Sequence, residues 1–166
     1  MQHNMTKKRR AFEHGHTRKL LVIVDETPEV YCALFYAAGR VQHAGGRVQL
    51  LYVIEPESQF WEGVRQAQLE EQTIKARAVF RLLRRELNNK GFEGVATEDV
   101  IREGKKAEVI LKQIDEDEDV SVLVLGASTE ASGPSPLVAA FTGGPIPIPV
   151  TIVPGDSAIE DIKAPT

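Results

Sequence analysis

The chain has 166 residues, 42% of them hydrophobic and 27% charged, with a single Cys and a formal net charge of -4. That length closes one sizeable core and is too short for two comfortable ones, so one compact soluble domain of the usual size is expected. A lone Cys forms no intrachain disulfide, no Cys/His quartet is present for structural zinc, and no apolar run reaches the roughly 18 residues of a membrane span, which excludes those classes.

Charge divides the chain. Residues 1–19 carry six basic side chains, among them Lys7, Lys8, Arg9 and Arg10, against Glu13 alone, a net of +5 that leaves -9 on the rest. His3, His14 and His16 lie in the same arm, which has no hydrophobic period; residues 1–18 therefore read as a flexible basic tail. An acidic body behind a short basic arm speaks against a dedicated nucleic-acid binder. No apolar signal-type stretch follows the basic residues, so a cytoplasmic protein is expected.

From Lys19 the elements alternate. Leu20 to Val24 is a continuous apolar run, the pattern of a central parallel strand buried on both faces. Thr27 and Pro28 then open a helix whose apolar positions Val30, Ala33, Leu34, Ala37, Ala38 and Val41 keep helical spacing as far as Gly45-Gly46. Val48 to Ile54 is a second strand. A long helix from about Trp61 to Leu87 follows, with Ile74, Ala78, Val79, Leu82, Leu83 and Leu87 as its apolar stripe. Val95 to Ile101 alternates imperfectly, as an edge strand does. A third helix presents Ala107, Ile110, Leu111 and Ile114, then enters the acidic run Asp115 to Asp119, read as a solvated connection.

Val120 to Leu125 and Val150 to Val153 are strands four and five. Residues 126–149 between them hold four of the 13 Gly and five of the nine Pro, which limits helix there to a turn or two around Leu137 to Phe141. From Gly155 onward a flexible C-terminal tail is expected. Five strands alternating with helices make a doubly wound parallel sheet covered on both faces, whose ligands bind outside the carboxyl ends of the strands. The candidate site is thus Asp25-Glu26, Glu55-Pro56 and the loop opening at Gly126.

Asp25 leaves the central strand where a carboxylate meets a ligand; it equally serves to start the next helix. Gly126, Ala127, Ser128 and Thr129 combine small side chains with accessible backbone N–H groups, suited either to a phosphate or simply to a sharp turn. No G-x-S-x-G elbow occurs, Cys32 falls inside the first helix as a packing residue, and His43 lies near that helix's far end, so hydrolytic catalysis has little support. Neither the His trio of the arm nor the acidic run has metal-site spacing.

The segments K-L-L-V-I-V-D-E-T-P-E (Lys19 to Glu29), A-L-F-Y-A-A-G-R-V-Q-H-A-G-G, L-L-Y-V-I-E-P (Leu50 to Pro56), V-L-V-L-G-A-S-T (Val122 to Thr129) and I-P-I-P-V-T-I-V-P (Ile146 to Pro154) together resemble the universal stress protein family, over residues 19–154 in the right order. The resemblance implies a regulatory rather than enzymatic cytoplasmic protein on the adenine nucleotide alpha hydrolase-like sheet, strand order 3-2-1-4-5. It also implies a homodimer paired through the last strand, at Val150, Thr151, Ile152 and Val153.

One branch of that family binds ATP with Mg through a carboxylate after strand one, backbone at the end of strand two and a G-x2-G-x9-G-[ST] loop. Asp25, Val53 and Gly126 match the first positions. Thr129 stands at the second Gly and Ala139-Ala140 at the G-[ST] pair; a register ending at Gly133 shortens the loop. A β-branched residue does not replace a Gly needed for positive φ or close phosphate approach. The expectation is therefore an altered nucleotide pocket at Asp25, Val53, Gly126, Ala127, Ser128 and Gly133, with an ATP-dependent switch and a nucleotide hydrolase or transferase as alternatives. Independently, Pro147, Pro149 and Pro154 flank strand five as prolines flank an edge strand, which is either paired with a second copy or merely protected.

Overall fold

The computed structural model describes residues 9–56, 61–128 and 136–156. β1 (Lys19–Val24), β2 (Arg47–Ile54), β3 (Thr97–Glu103), β4 (Val120–Ala127) and β5 (Val150–Pro154) form one parallel sheet in the order β3-β2-β1-β4-β5. Between them run α1 (Glu29–Ala44), α2 (Glu62–Asn89), α3 (Lys106–Glu116) and the short α4 (Pro136–Thr142).

Side-chain alternation along the strands sorts the core into two layers. Leu20, Val22, Val24, Leu50 and Tyr52 pack with α1 and α2 on one face. Leu21, Ile23, Leu51, Val53, Leu123 and Leu125 pack with α3 and α4 on the other. Helices thus cover both faces, as the alternating pattern requires. Where β1 meets β4 the register slips, Lys19 opposite Val120 and Leu20 opposite Val122. Ser121 is the extra residue, buried, with its hydroxyl donating to the Lys19 carbonyl at 3.3 Å.

All six expected apolar positions of α1 are buried. Two other helices are rotated from the sequence reading. α2 buries Ala76, Phe80, Leu83 and Leu87, while Ile74 is 69% and Leu82 46% exposed. Phe80 outweighs them because its ring reaches Tyr52 edge-on at 6.5 Å between centroids, and burying so large a side chain sets the rotation of the helix. α3 buries Gln113 with Val109, Ile110 and Ile114, and leaves Leu111 exposed. The Gln113 amide nitrogen donates to Gln49 Oε1 at 3.0 Å, while Gln113 Oε1 is buried with no hydrogen-bond partner among the described residues.

The arm also differs from its expectation. Residues 9–18 lie against the acidic run instead of forming a free tail. Arg9 donates from one guanidinium nitrogen to the carbonyls of Ile114 (2.6 Å) and Asp117 (3.1 Å) at the end of α3. The Arg10 N–H donates to the Glu118 carbonyl at 2.8 Å, and His16 Nδ1 lies 2.7 Å from Asp119 Oδ1. A cation at a helix C-terminus meets the negative end of the macrodipole and the carbonyls that no helical N–H reaches.

Beneath this strap, Lys19 Nζ sits 2.7 Å from Asp117 Oδ2 and 2.9 Å from Glu98 Oε2. Burial pulls the Lys19 pKa down, yet the hydrogen bonds to Asp117 and Glu98 win and raise it. Burial pushes Asp117 up, and bonds from Lys19, Gln49 and the Asp119 N–H bring it below its usual value. The run 115–119 is therefore a partner of the arm and of β1, not a solvated connection. Residues 1–8 of the expected tail and residues 157–166 of the C-terminal one lie outside the described residues.

Candidate functional site

The carboxyl ends of all five strands open on one side. The chain passes outward in opposite directions from β1 and β4, so the switch point of the sheet lies between Val24 and Gly126. Asp25 follows β1 directly. Its Oδ1 accepts the Thr27 N–H at 2.9 Å and the Thr27 hydroxyl, closing a small turn before α1. The helix begins one residue later than expected, after Pro28, and Thr27 makes no side-chain cap to it. No hydrogen bond occupies Asp25 Oδ2 among the described residues, which leaves one carboxylate oxygen to accept from a ligand hydroxyl.

Glu26 pairs with Lys75 of α2, fixing that helix to the rim of the mouth. Behind the pair, burial and then the Glu26 charge raise the Tyr52 hydroxyl pKa above its ordinary value. At the end of β2, Val53 packs its side chain into the α3 layer, so only its main chain is offered to the mouth. Glu55 takes a structural part: its Oε1 accepts the Lys106 N–H at 2.9 Å and so caps α3. The Lys75 and Glu55 contacts carry no local signal, because each joins elements far apart in the chain.

Gly126 is fixed by packing. A Cβ there would strike the Glu29 carbonyl oxygen and lie 2.9 Å from the Glu29 Cβ, so the first turn of α1 rests directly on the end of β4. Asp25 and Gly126 come at the ends of the neighbouring strands β1 and β4. Ala127 ends β4 opposite Pro154, and Ser128 follows it. Gly133, with Thr129 and Pro134, lies outside the described residues. Ala139 and Ala140, at the positions of the family's G-[ST] pair, stand exposed within α4 rather than in a glycine-rich loop.

Asp25, the end of β2 and residues 126–128 thus lie on one side of the sheet, at the carboxyl ends of β1, β2 and β4. Among the described residues, no group of three or more His, Cys, Asp or Glu side chains is placed to hold a metal ion, and no helix is long and apolar enough to cross a membrane.

Of the expected dimer residues on β5, Val153 is buried in its own core against α1, Val150 and Thr151 are half-buried, and Ile152 is 39% exposed. Beyond the strand, the Cys32 thiol of α1 lies 3.3 Å from the Gly155 carbonyl oxygen, in keeping with a packing role.

The sheet order, its two helical layers and the mouth at the switch point define a doubly wound α/β protein. The sequence matches the universal stress protein family over residues 16–139, and the chain belongs to that family. Its fold is similar to that of universal stress protein UspA from Lactobacillus plantarum, with a TM-score of 0.69 at 16% identity over 82% of this chain and 97% of that one. A universal stress protein family member from Burkholderia pseudomallei gives a TM-score of 0.60 at 18% identity, over 83% and 96% of the two chains. The universal stress protein from Archaeoglobus fulgidus, solved in complex with dAMP, gives 0.60 at 16% identity, over 83% and 98%. No curated protein matches the sequence significantly.

Proposed function

We propose that this universal stress protein is a regulatory, non-enzymatic adenine-nucleotide sensor of the cytoplasm, acting as a homodimer through β5, with a pocket altered at its phosphate end. What supports the reading is Asp25, with one open carboxylate oxygen, leaving β1 at the switch point beside the neighbouring strand β4, which ends at Ala127. The dAMP complex of the Archaeoglobus fulgidus relative supports a monophosphate ligand in this fold. Thr129 and the Ala139-Ala140 pair remove the glycines and hydroxyl with which the ATP-binding branch surrounds a triphosphate, so added phosphates gain little here.

Equilibrium dialysis with labelled AMP, ADP and ATP, with and without magnesium, tests this. Binding of AMP with an affinity within about threefold of that of ATP is expected, since an altered loop contributes less than one charge-assisted hydrogen bond. ATP with magnesium bound at least about tenfold tighter than AMP would restore the triphosphate switch. Repeated turnover of any nucleotide would favour an enzyme on the same sheet.

A further inference from the structure

The mouth is at the carboxyl ends of the strands; a second concave surface lies elsewhere, between α2 and the edge strand β3. It is a groove of about 420 Å³ lined by Arg77, Phe80, Arg81, Arg84, Asp99 and Ile101, a volume within the range of roughly 300–1,000 Å³ typical of ligand clefts. Three guanidinium groups face one carboxylate. Asp99 is already paired with Arg84, whereas the exposed Arg77 and Arg81 have no carboxylate partner among the described residues. They stand on one face of α2, four residues apart.

We propose that this groove docks an extended, acidic segment of a partner protein, which adds as a strand to the free edge of β3. Among the described residues β3 has β2 as its single neighbour, so its outer row of N–H and C=O groups is open to main-chain pairing. A strand laid there turns alternate side chains to the two faces of the sheet. Those on the α2 face meet Arg77 and Arg81, which call for Asp or Glu. Those on the other face meet Val100, half-buried against the α3 layer, which calls for apolar residues. The groove therefore selects an alternating acidic and apolar sequence.

Nucleic acid fits less well. Phe80 is 1% exposed, so its ring offers no platform for base stacking. Residues 20–166 as a whole carry -9, which repels a long polyanion while a short acidic segment stays within reach of the arginines.

The test uses the full chain and a fluorescein-labelled peptide of alternating Val and Glu, six residues long, read by anisotropy at low ionic strength. Saturable binding that weakens with salt is expected, with a loss of about tenfold or more in Arg77→Glu/Arg81→Glu. The milder Arg77→Gln/Arg81→Gln pair, with unchanged circular dichroism, must lose affinity too. Arg85→Glu/Lys90→Glu, an equal change of net charge at the C-terminal end of α2 and its cap, outside the groove, leaves binding intact. N-methylation of alternate peptide bonds abolishes binding if the segment pairs with β3. The proposal is overturned if the Arg77/Arg81 variants bind as the unmodified chain does, if the N-methylated peptide still binds, or if a thymidine oligonucleotide binds the groove more tightly than the peptide.

Discussion

Asp25 and Gly126, at the ends of neighbouring strands, are held by different means, one by hydrogen bonds from Thr27 and one by packing against Glu29. Gly126→Ala places a methyl group against the backbone of Glu29, and backbone yields less readily than a side chain. A loss of about 1–3 kcal/mol in urea unfolding is expected, the usual cost of overpacking; an unchanged midpoint would show that α1 moves away freely. Lys19 is a second decisive residue, at the opposite end of β1. Its side chain and that of Asp117 are 16% and 19% exposed, so Lys19→Met leaves a largely buried carboxylate without its cation and should cost about 2 kcal/mol near neutral pH.

The sign of the pH dependence follows from the two shifts. Asp117 is held below its ordinary 3.8, so its contribution is complete above that value and disappears as acid protonates it in the folded state. Lys19 is held above 10.5, so its contribution is complete below that value and disappears as alkali removes the proton. The difference in unfolding free energy between the original chain and Lys19→Met should therefore be flat between those limits and shrink outside them. A difference that grew in acid would contradict the pairing.

At the scale of elements, the strap formed by residues 9–18 ties the end of α3 to β1. Arg9→Ala should destabilise by about 1–2 kcal/mol, because it leaves the Ile114 and Asp117 carbonyls without their charged donor. Thermal unfolding of the variant checks this, and an unaltered transition would return the arm to a passive tail. The strap was invisible to a reading by hydrophobic period: its contacts are polar and join residues about a hundred positions apart. The alternation of strands and helices, by contrast, was legible, since continuous apolar runs such as Leu20 to Val24 have few other solutions. Helix rotation was legible for α1, whose apolar stripe is unambiguous, and not for α2, where Ile74 and Leu82 compete with Phe80 and tertiary packing decides. In the site, the placing of Asp25 and Gly126 followed from topology. The capping by Glu55 and the Glu26–Lys75 pair needed the folded arrangement, as each partner comes from a different element.

For the whole molecule, one sheet has two unlike edges. β3 is bordered by ion pairs, Arg84 with Asp99, Arg65 with Glu103 and Arg102 with Glu116, and carries the arginine groove. β5 is short, flanked by prolines, and presents Ile152. The pairing with a second copy proposed above predicts a dimer at tens of micromolar in sedimentation equilibrium and a monomer for Ile152→Glu, whose charge has no partner in a two-fold strand pair. A monomeric original chain would contradict the assembly. The regulatory reading itself turns on whether a nucleotide sits beside β1. Calorimetric titration of the full chain and of Asp25→Ala with AMP is the direct measurement. The account predicts saturable binding by the original chain and an affinity about ten to one hundredfold lower in the variant, the worth of a charged hydrogen bond. Equal affinity in the two proteins, or no heat from either, would contradict a nucleotide site at the mouth of the sheet.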